Sequence, residues 1–247
     1  MVDSRLIARL RAAGCIAAED EARELIEAAD GEVPESWIAR RERGEPLAWI
    51  TGRTHFCRLT LQVRPGVYVP RPQTEDLARR AEALLPAHGR ALDLCTGCGA
   101  IAAHLQSVVP TATVTALDRD PRAVECARAN GVEAIEGDVD DATGEHDLIT
   151  AVPPYVPTGE LHTLAADVRR FEPRGAIDGG PDGLDTARRI VPAAARLLRR
   201  GGWLVIELGG DQDELLAPDL DTHGFQAVEP WYDGDGDLRG VAASLEH

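Results

Sequence analysis

Asp93-Leu94-Cys95-Thr96-Gly97-Cys98-Gly99-Ala100 decides how this chain is read. An apolar run at 91–95 reads as a buried strand, and the residues from about 100 to 108 read as a helix. Glycines between a strand and a helix let the backbone approach a ligand and aim helix N–H groups at it. Gly97-x-Gly99-x-x-Ala102 also satisfies the dinucleotide fingerprint with its permitted final alanine. Alone, that pattern does not choose a ligand.

Working outward, strands are expected at 113–118, 132–136, 147–152 and 203–208, with helices near 121–129 and 184–199. Regular strand–helix alternation argues for an α/β fold with a parallel sheet covered on both faces. Thr74 is placed to cap a helix whose first turn carries Glu75 and Asp76. Pro192 is expected to kink the helix over 184–199, and Gly201-Gly202 to close it. The end of the chain differs: a helix near 211–222, a strand near 225–231, a Gly-Asp-rich turn at 233–237, then a strand at 238–244. Strands joined by so short a turn must be antiparallel.

Before this domain, residues 3–45 look helical, with apolar stripes at Leu6, Leu10 and Ala13 and at Ala22, Leu25, Ile26 and Ala29. Pro34 opens a third segment carrying Trp37 and Ile38, and Gly44 ends it. Residues 47–69 turn to a strand-like pattern, with Leu59, Leu61 and Val63 alternating, and Trp49 and Phe56 as core. The expected division is a helical domain at 1–46, a β-hairpin linker at 47–72 and the α/β domain at 73–244. Leu245-Glu246-His247 resembles the start of a histidine tag and is set aside.

Of the 247 residues, 44% are hydrophobic and 28% charged, as in an ordinary globular protein. No apolar run approaches a membrane span, and the N-terminus, with Asp3 and Arg5, does not read as a signal peptide. Five scattered cysteines suit a reducing cytoplasm. The net charge of −16 disfavours a nucleic-acid substrate, because such binding rests on cations neutralising phosphates. A protein partner fits that field better. The chain has no lysine and a single asparagine, Asn130, which looks like a nucleotide-composition bias.

Acids at the strand ends narrow the ligand. Asp118 closes the second strand, where a carboxylate can accept from both ribose hydroxyls. Gly137-Asp138 closes the third, where the carboxylate and the Val139 N–H can read an adenine edge. The fourth strand runs into Val152-Pro153-Pro154-Tyr155. The glycine turn and acids in both places, followed by a Pro-Pro-aromatic loop, point to S-adenosyl-L-methionine rather than a nicotinamide dinucleotide. The plainer alternative is that strand-end acids cap helices. Cys95-x-x-Cys98 has no second pair at metal spacing and reads as part of the cofactor loop.

With these motifs together, the chain resembles the protein-(glutamine-N5) methyltransferases, the HemK/PrmC-like family that modifies translation release factors, with a sister group acting on a ribosomal protein. The resemblance covers most of residues 43–243. Arg43-Gly44-Glu45-Pro46-Leu47-Ala48-Trp49-Ile50-x-Gly52 resembles the family's linker, and Val69-Pro70-Arg71-Pro72-Gln73-Thr74-Glu75 its cofactor-covering loop. Phe171-Glu172-Pro173, Asp178-Gly179-Gly180-x-Asp182-Gly183-Leu184 and Glu207-Leu208-Gly209 with Gln212 match later motifs. The resemblance implies a seven-stranded Rossmann-like sheet with an antiparallel last strand. It implies S-adenosyl-L-methionine held by Arg71, Asp93, Cys95, Thr96, Gly97, Cys98, Gly99, Asp118, Asp138, Val139 and Glu207. The acceptor falls to Val152, Pro153, Pro154 and Tyr155.

Two positions depart from the family. Gln73 replaces an acid, and Val152 replaces an asparagine whose side chain, by resemblance, accepts from the substrate NH₂ alongside the first proline's carbonyl. Valine accepts nothing. The leading expectation is an active protein N-methyltransferase. The alternatives are a cofactor-binding homologue that engages a protein with little turnover and, more distantly, an NAD-dependent oxidoreductase.

Overall fold

The computed structural model describes residues 4–246, so residues 1–3 and His247, both inside expected segments, lie outside the described residues. Seven strands form the main sheet: β3 (Arg90–Leu94), β4 (Thr113–Asp118), β5 (Glu133–Glu136), β6 (His146–Ala151), β7 (Leu198–Glu207), β8 (Phe225–Tyr232) and β9 (Leu238–Leu245). Their order is β5-β4-β3-β6-β7-β9-β8. The first five run parallel, while β9 lies antiparallel to both β7 and β8.

Alternate residues of β3, β4, β6 and β7 go to opposite faces, and both faces are apolar. Ala91, Ala116, Leu148 and Val205 join the core on the side of α5 (Thr74–Leu84), α6 (Ala100–Val108) and α7 (Pro121–Ala129). Leu92, Leu94, Ile149, Leu204 and Ile206 join the other core, beneath α9 (Ala187–Leu197) and α10 (Gln212–Thr222). Burial on both faces is what made these strands read as continuous apolar runs.

Helices α1 (Ser4–Ala12), α2 (Ala18–Ala28) and α3 (Glu35–Glu42) build a separate core from Leu6, Leu10, Ala22, Leu25 and Ile38. Ala13, expected in the first stripe, is exposed beyond the end of α1. Arg9 reaches across the bundle to Glu35 at 2.7 Å and Glu42 at 2.8 Å. The linker departs from its reading: Leu47–Thr51 is a short helix, α4, and only β1 (Arg53–Phe56) and β2 (Leu59–Gln62) form the hairpin. Ala48, Trp49 and Ile50 are all buried, and a run buried on every side carries no period to tell helix from strand. Trp49 and Phe56 are core, as expected. Asn130, at the C-terminus of α7, clips this hairpin to the glycine turn: its amide donates to the Gln62 and Cys98 carbonyls, both at 2.9 Å, and accepts from the Gln62 N–H at 2.7 Å.

Other local readings also shift. Thr74 does not cap α5; it is the first helical residue and its hydroxyl is buried. Gly201-Gly202 do not close α9, which ends at Leu197 and runs straight into β7. They occupy a bulge, where the partner on β7 jumps from Leu198 to Trp203 as β6 advances from His146 to Leu148. Gly201 supplies the left-handed φ of 71° that this needs. α9 continues through Pro192, and α10 through Pro218. Leu245, set aside with the tag-like tail, pairs with Phe225 and is fully buried. Leu245→Ala is therefore expected to destabilise the fold by about 2–5 kcal/mol, measured as a lowered urea midpoint at unchanged slope.

Candidate functional site

A cavity of about 480 Å³ opens at the C-terminal ends of β3, β4, β5 and β6. Here β3 is flanked by β4 on one side and β6 on the other, the switch point where open α/β sheets bind ligands. Arg71, Asp93, Cys95, Thr96, Gly97, Cys98, Asp118, Asp138, Val139 and the whole Val152–Tyr155 loop line it. Gly99 and Glu207 do not. Gly99 has a packing role: at φ +83°, a Cβ there would lie 3.0 Å from the Ala127 Cβ and 3.1 Å from Val132. Gly97, at φ +57°, has open space where its Cβ would be.

Each carboxylate is held by a different means. Asp93 is buried, and its two oxygens accept from the Thr96 hydroxyl at 2.6 Å and the Thr150 hydroxyl at 2.7 Å. Burial wins over those bonds and pushes its pKa up to about 6. Asp118 accepts from the Gly97 N–H and the Asp120 N–H, both at 2.9 Å, fixing the glycine turn from the neighbouring strand. Burial raises its pKa too. Asp138 behaves oppositely: partial burial pushes it up, but donation from Val139 and Arg189 outweighs this and holds it below the usual value. The Val139 N–H is engaged by that carboxylate at 2.7 Å, and Arg189 sits on the same oxygen at 2.9 Å. Burial pushes the Cys95 thiol up and the Cys98 thiol up to about 12. Both stay protonated at neutral pH, the reverse of a redox dithiol.

Beyond β6, Val152 is half-buried against the α5–α7 core and carries no polar side-chain atom toward the cavity. Pro153 and Pro154 are buried. The Tyr155 carbonyl accepts from the Gln212 amide at 2.7 Å, and Gly183 is required beside them, since a Cβ there would sit 2.2 Å from both. Among the described residues, no hydrogen bond engages the Pro153 carbonyl.

Several lining residues were not foreseen. Tyr68 lies under the Arg71 guanidinium, 4.9 Å from ring centroid to Cζ. Arg71 pairs with the buried Glu172, so the loop before α5 is tied to the segment after the Val152–Tyr155 loop. That segment contributes Leu164, Ala165 and Val168 to the wall, and its Phe171 packs edge-on against Trp49 at 6.4 Å. Arg189, on α9, lines the cavity and bonds Asp140 at 2.7 Å as well as Asp138. Arg188 pairs with Asp182 at 2.8 Å, and Arg199 with Asp147 at 3.2 Å. Nothing in the local pattern marks these pairings, because their acids lie on other elements.

The methyltransferase small domain family matches residues 63–168. The release factor glutamine methyltransferase of Geobacter sulfurreducens is 40% identical over 196 residues, covering 76% of this chain and 69% of that protein. That of Moorella thermoacetica is 41% identical over 212 residues, covering 80% and 75%. This chain belongs to the release factor glutamine methyltransferase family. The ribosomal protein L11 methylase of Lactobacillus delbrueckii subsp. bulgaricus shares the fold, with a TM-score of 0.54 at 18% identity over 76% of this chain and 86% of that one.

Like its family, the protein is a methyltransferase whose methyl donor is S-adenosyl-L-methionine. The cavity fits that cofactor: it is of ligand size, Gly97 leaves its floor open, and acids stand at the ends of β3 and β4 and just past β5. Glu207, expected on the cofactor, is buried beside Thr74 and Tyr155 outside the cavity lining.

The raised pKa of Asp93 makes a stability prediction. Protonation is favoured in the folded chain, so its contribution is complete below the ordinary value of 3.8 and is lost as pH rises through about 6. Asp93→Asn does not titrate. Its stability relative to the natural chain is expected to rise by on the order of 2–3 kcal/mol between pH 3.5 and 7.5 in denaturant titrations; a flat difference would mean that folding leaves the pKa of Asp93 unshifted.

Proposed function

We propose that this chain transfers a methyl group to the side-chain amide nitrogen of a glutamine in a translation release factor, in the cytoplasm. The observation that carries the reading is that the Val152–Tyr155 loop forms one wall of the same cavity as the glycine turn and Asp118. The relatives' name supports the choice of acceptor. A related acceptor, a ribosomal protein glutamine, would use the same chemistry.

S-adenosyl-L-methionine supplies, when bound, an electrophilic methyl on a sulfonium. Gly97 and Cys98 would approach it through the main chain, Asp118 would accept from ribose hydroxyls, and Asp138 with Val139 would face the adenine edge. An amide nitrogen is a poor nucleophile because its lone pair is shared with the carbonyl. The uncommitted Pro153 carbonyl can accept one amide hydrogen and turn the nitrogen toward the methyl. Tyr155 offers a flat surface for the amide plane, and Pro153-Pro154 keep the loop stiff. Buried at the base of the loop, Gln212 holds Tyr155 in place.

Val152 gives this site one acceptor where two would hold the NH₂. A donor left unsatisfied costs about 1–3 kcal/mol, on the order of ten- to a hundredfold in rate if the loss falls wholly in the transition state. That same residue favours a second reading, in which the chain binds cofactor and release factor with little turnover. Incubation with S-adenosyl-L-methionine and a release factor carrying Gly-Gly-Gln separates the two. Tandem mass spectrometry is expected to locate one added methyl on that glutamine, with Val152→Asn roughly ten- to a hundredfold faster. Methylation by the Val152→Asn variant alone, with cofactor affinity equal in both, would favour the second reading instead.

A further inference from the structure

Glu207 ends β7 at 2% exposure, and among the described residues neither carboxylate oxygen closes a hydrogen bond. A carboxyl taken out of water without donors is costly, and packing alone would be served by an apolar side chain. It stands behind the cavity wall and not among the lining residues. Two hydroxyls face it. One belongs to Thr74 at the start of α5, itself buried and otherwise unpartnered; the other is the phenol of Tyr155. Both residues belong to the cavity wall, on different segments. Burial favours the neutral carboxyl, whereas those two hydroxyls and the positive fields of Arg239 and Arg71 favour the charged one.

The rest of Tyr155 is already fixed. Its carbonyl is bound by Gln212, and a Cβ at Gly209 would lie 3.5 Å from the ring edge, so only the phenol end is left to be placed. A carboxylate has acceptor capacity for two hydroxyls at once. We propose that Glu207 is a positioning residue: it takes the Thr74 and Tyr155 hydroxyls together, pinning the acceptor loop to the start of α5 and setting the ring against which the acceptor lies. The last clause rests on the methyl-transfer reading above; the pairing itself does not.

Two arms test it. In steady-state kinetics with the release factor, Glu207→Ala is expected to lower kcat about tenfold, leave the KM for S-adenosyl-L-methionine within about twofold, and cost nothing further in a Tyr155→Phe background. Glu207→Gln, whose carbonyl still accepts, recovers most of the rate and serves if the alanine variant fails to fold. The second arm needs no acceptor: the ultraviolet difference spectrum between the natural chain and Glu207→Leu, which accepts nothing, is expected to show a perturbed tyrosine band that vanishes when both carry Tyr155→Phe. A tyrosine band that is unmoved, or that survives Tyr155→Phe, overturns the pairing. If the band behaves as expected but the effects of Glu207→Ala and Tyr155→Phe on kcat multiply independently, or the loss falls on the cofactor KM, the positioning role is overturned. If no methylation is detected at all, the spectral arm still decides the pairing.

Discussion

The turn from β3 into α6 depends on two glycines held at left-handed φ, and the rest of the site is arranged around it. They divide the work. Gly97 leaves open space toward the cavity, while Gly99 allows α6 to close on α7 and Val132. Neighbouring strands then hold the turn: the Thr96 N–H donates to the Leu117 carbonyl, and the Gly97 N–H to Asp118. Asp93 receives the hydroxyls of Thr96 and Thr150 from below. A main chain fixed from so many sides can present N–H groups to a ligand without reorganising as the ligand arrives.

Charge is distributed with the same economy of means. The chain is strongly acidic, yet Asp93, Asp118, Glu172 and Glu207 are placed where burial resists ionisation. With no lysine, the ion pairs that knit the fold rely on guanidinium groups, whose planar forks can meet both oxygens of one carboxylate. Arg40 does this to Glu45 at 2.9 and 2.6 Å, and Arg9 joins two helices through Glu35 and Glu42. These contacts give direction as well as attraction, which suits a bundle whose own apolar core is small.

Most of the sheet was legible because the central strands β3, β4, β6 and β7 are apolar runs ending in a turn or an acid, and the reversed final pair followed from the short Gly-Asp turn between them. The cavity lining was legible for a related reason: Asp93, Asp118, Asp138 and Val152 all stand at or next to strand ends, where the topology delivers them to one crevice. What escaped has a physical pattern. Leu47–Thr51 is buried on all sides and so carries no amphipathic period. Gly201-Gly202 looked like a helix stop but serves a bulge, a distinction set by the neighbouring strand. Arg189 owes its place to acids some fifty residues earlier in the chain, and Glu207, although at a strand end, lies behind the wall instead of on it.

Asn130 has a consequence of a mechanical kind. One side chain grips the last residue of the hairpin with a donor and an acceptor, and with its other hydrogen grips Cys98 between the two glycines. Aspartate would lack the donors, and glutamine would carry its amide one methylene further from the backbone. The hairpin that follows the N-terminal helices is thereby braced against the floor of the crevice by a single side chain.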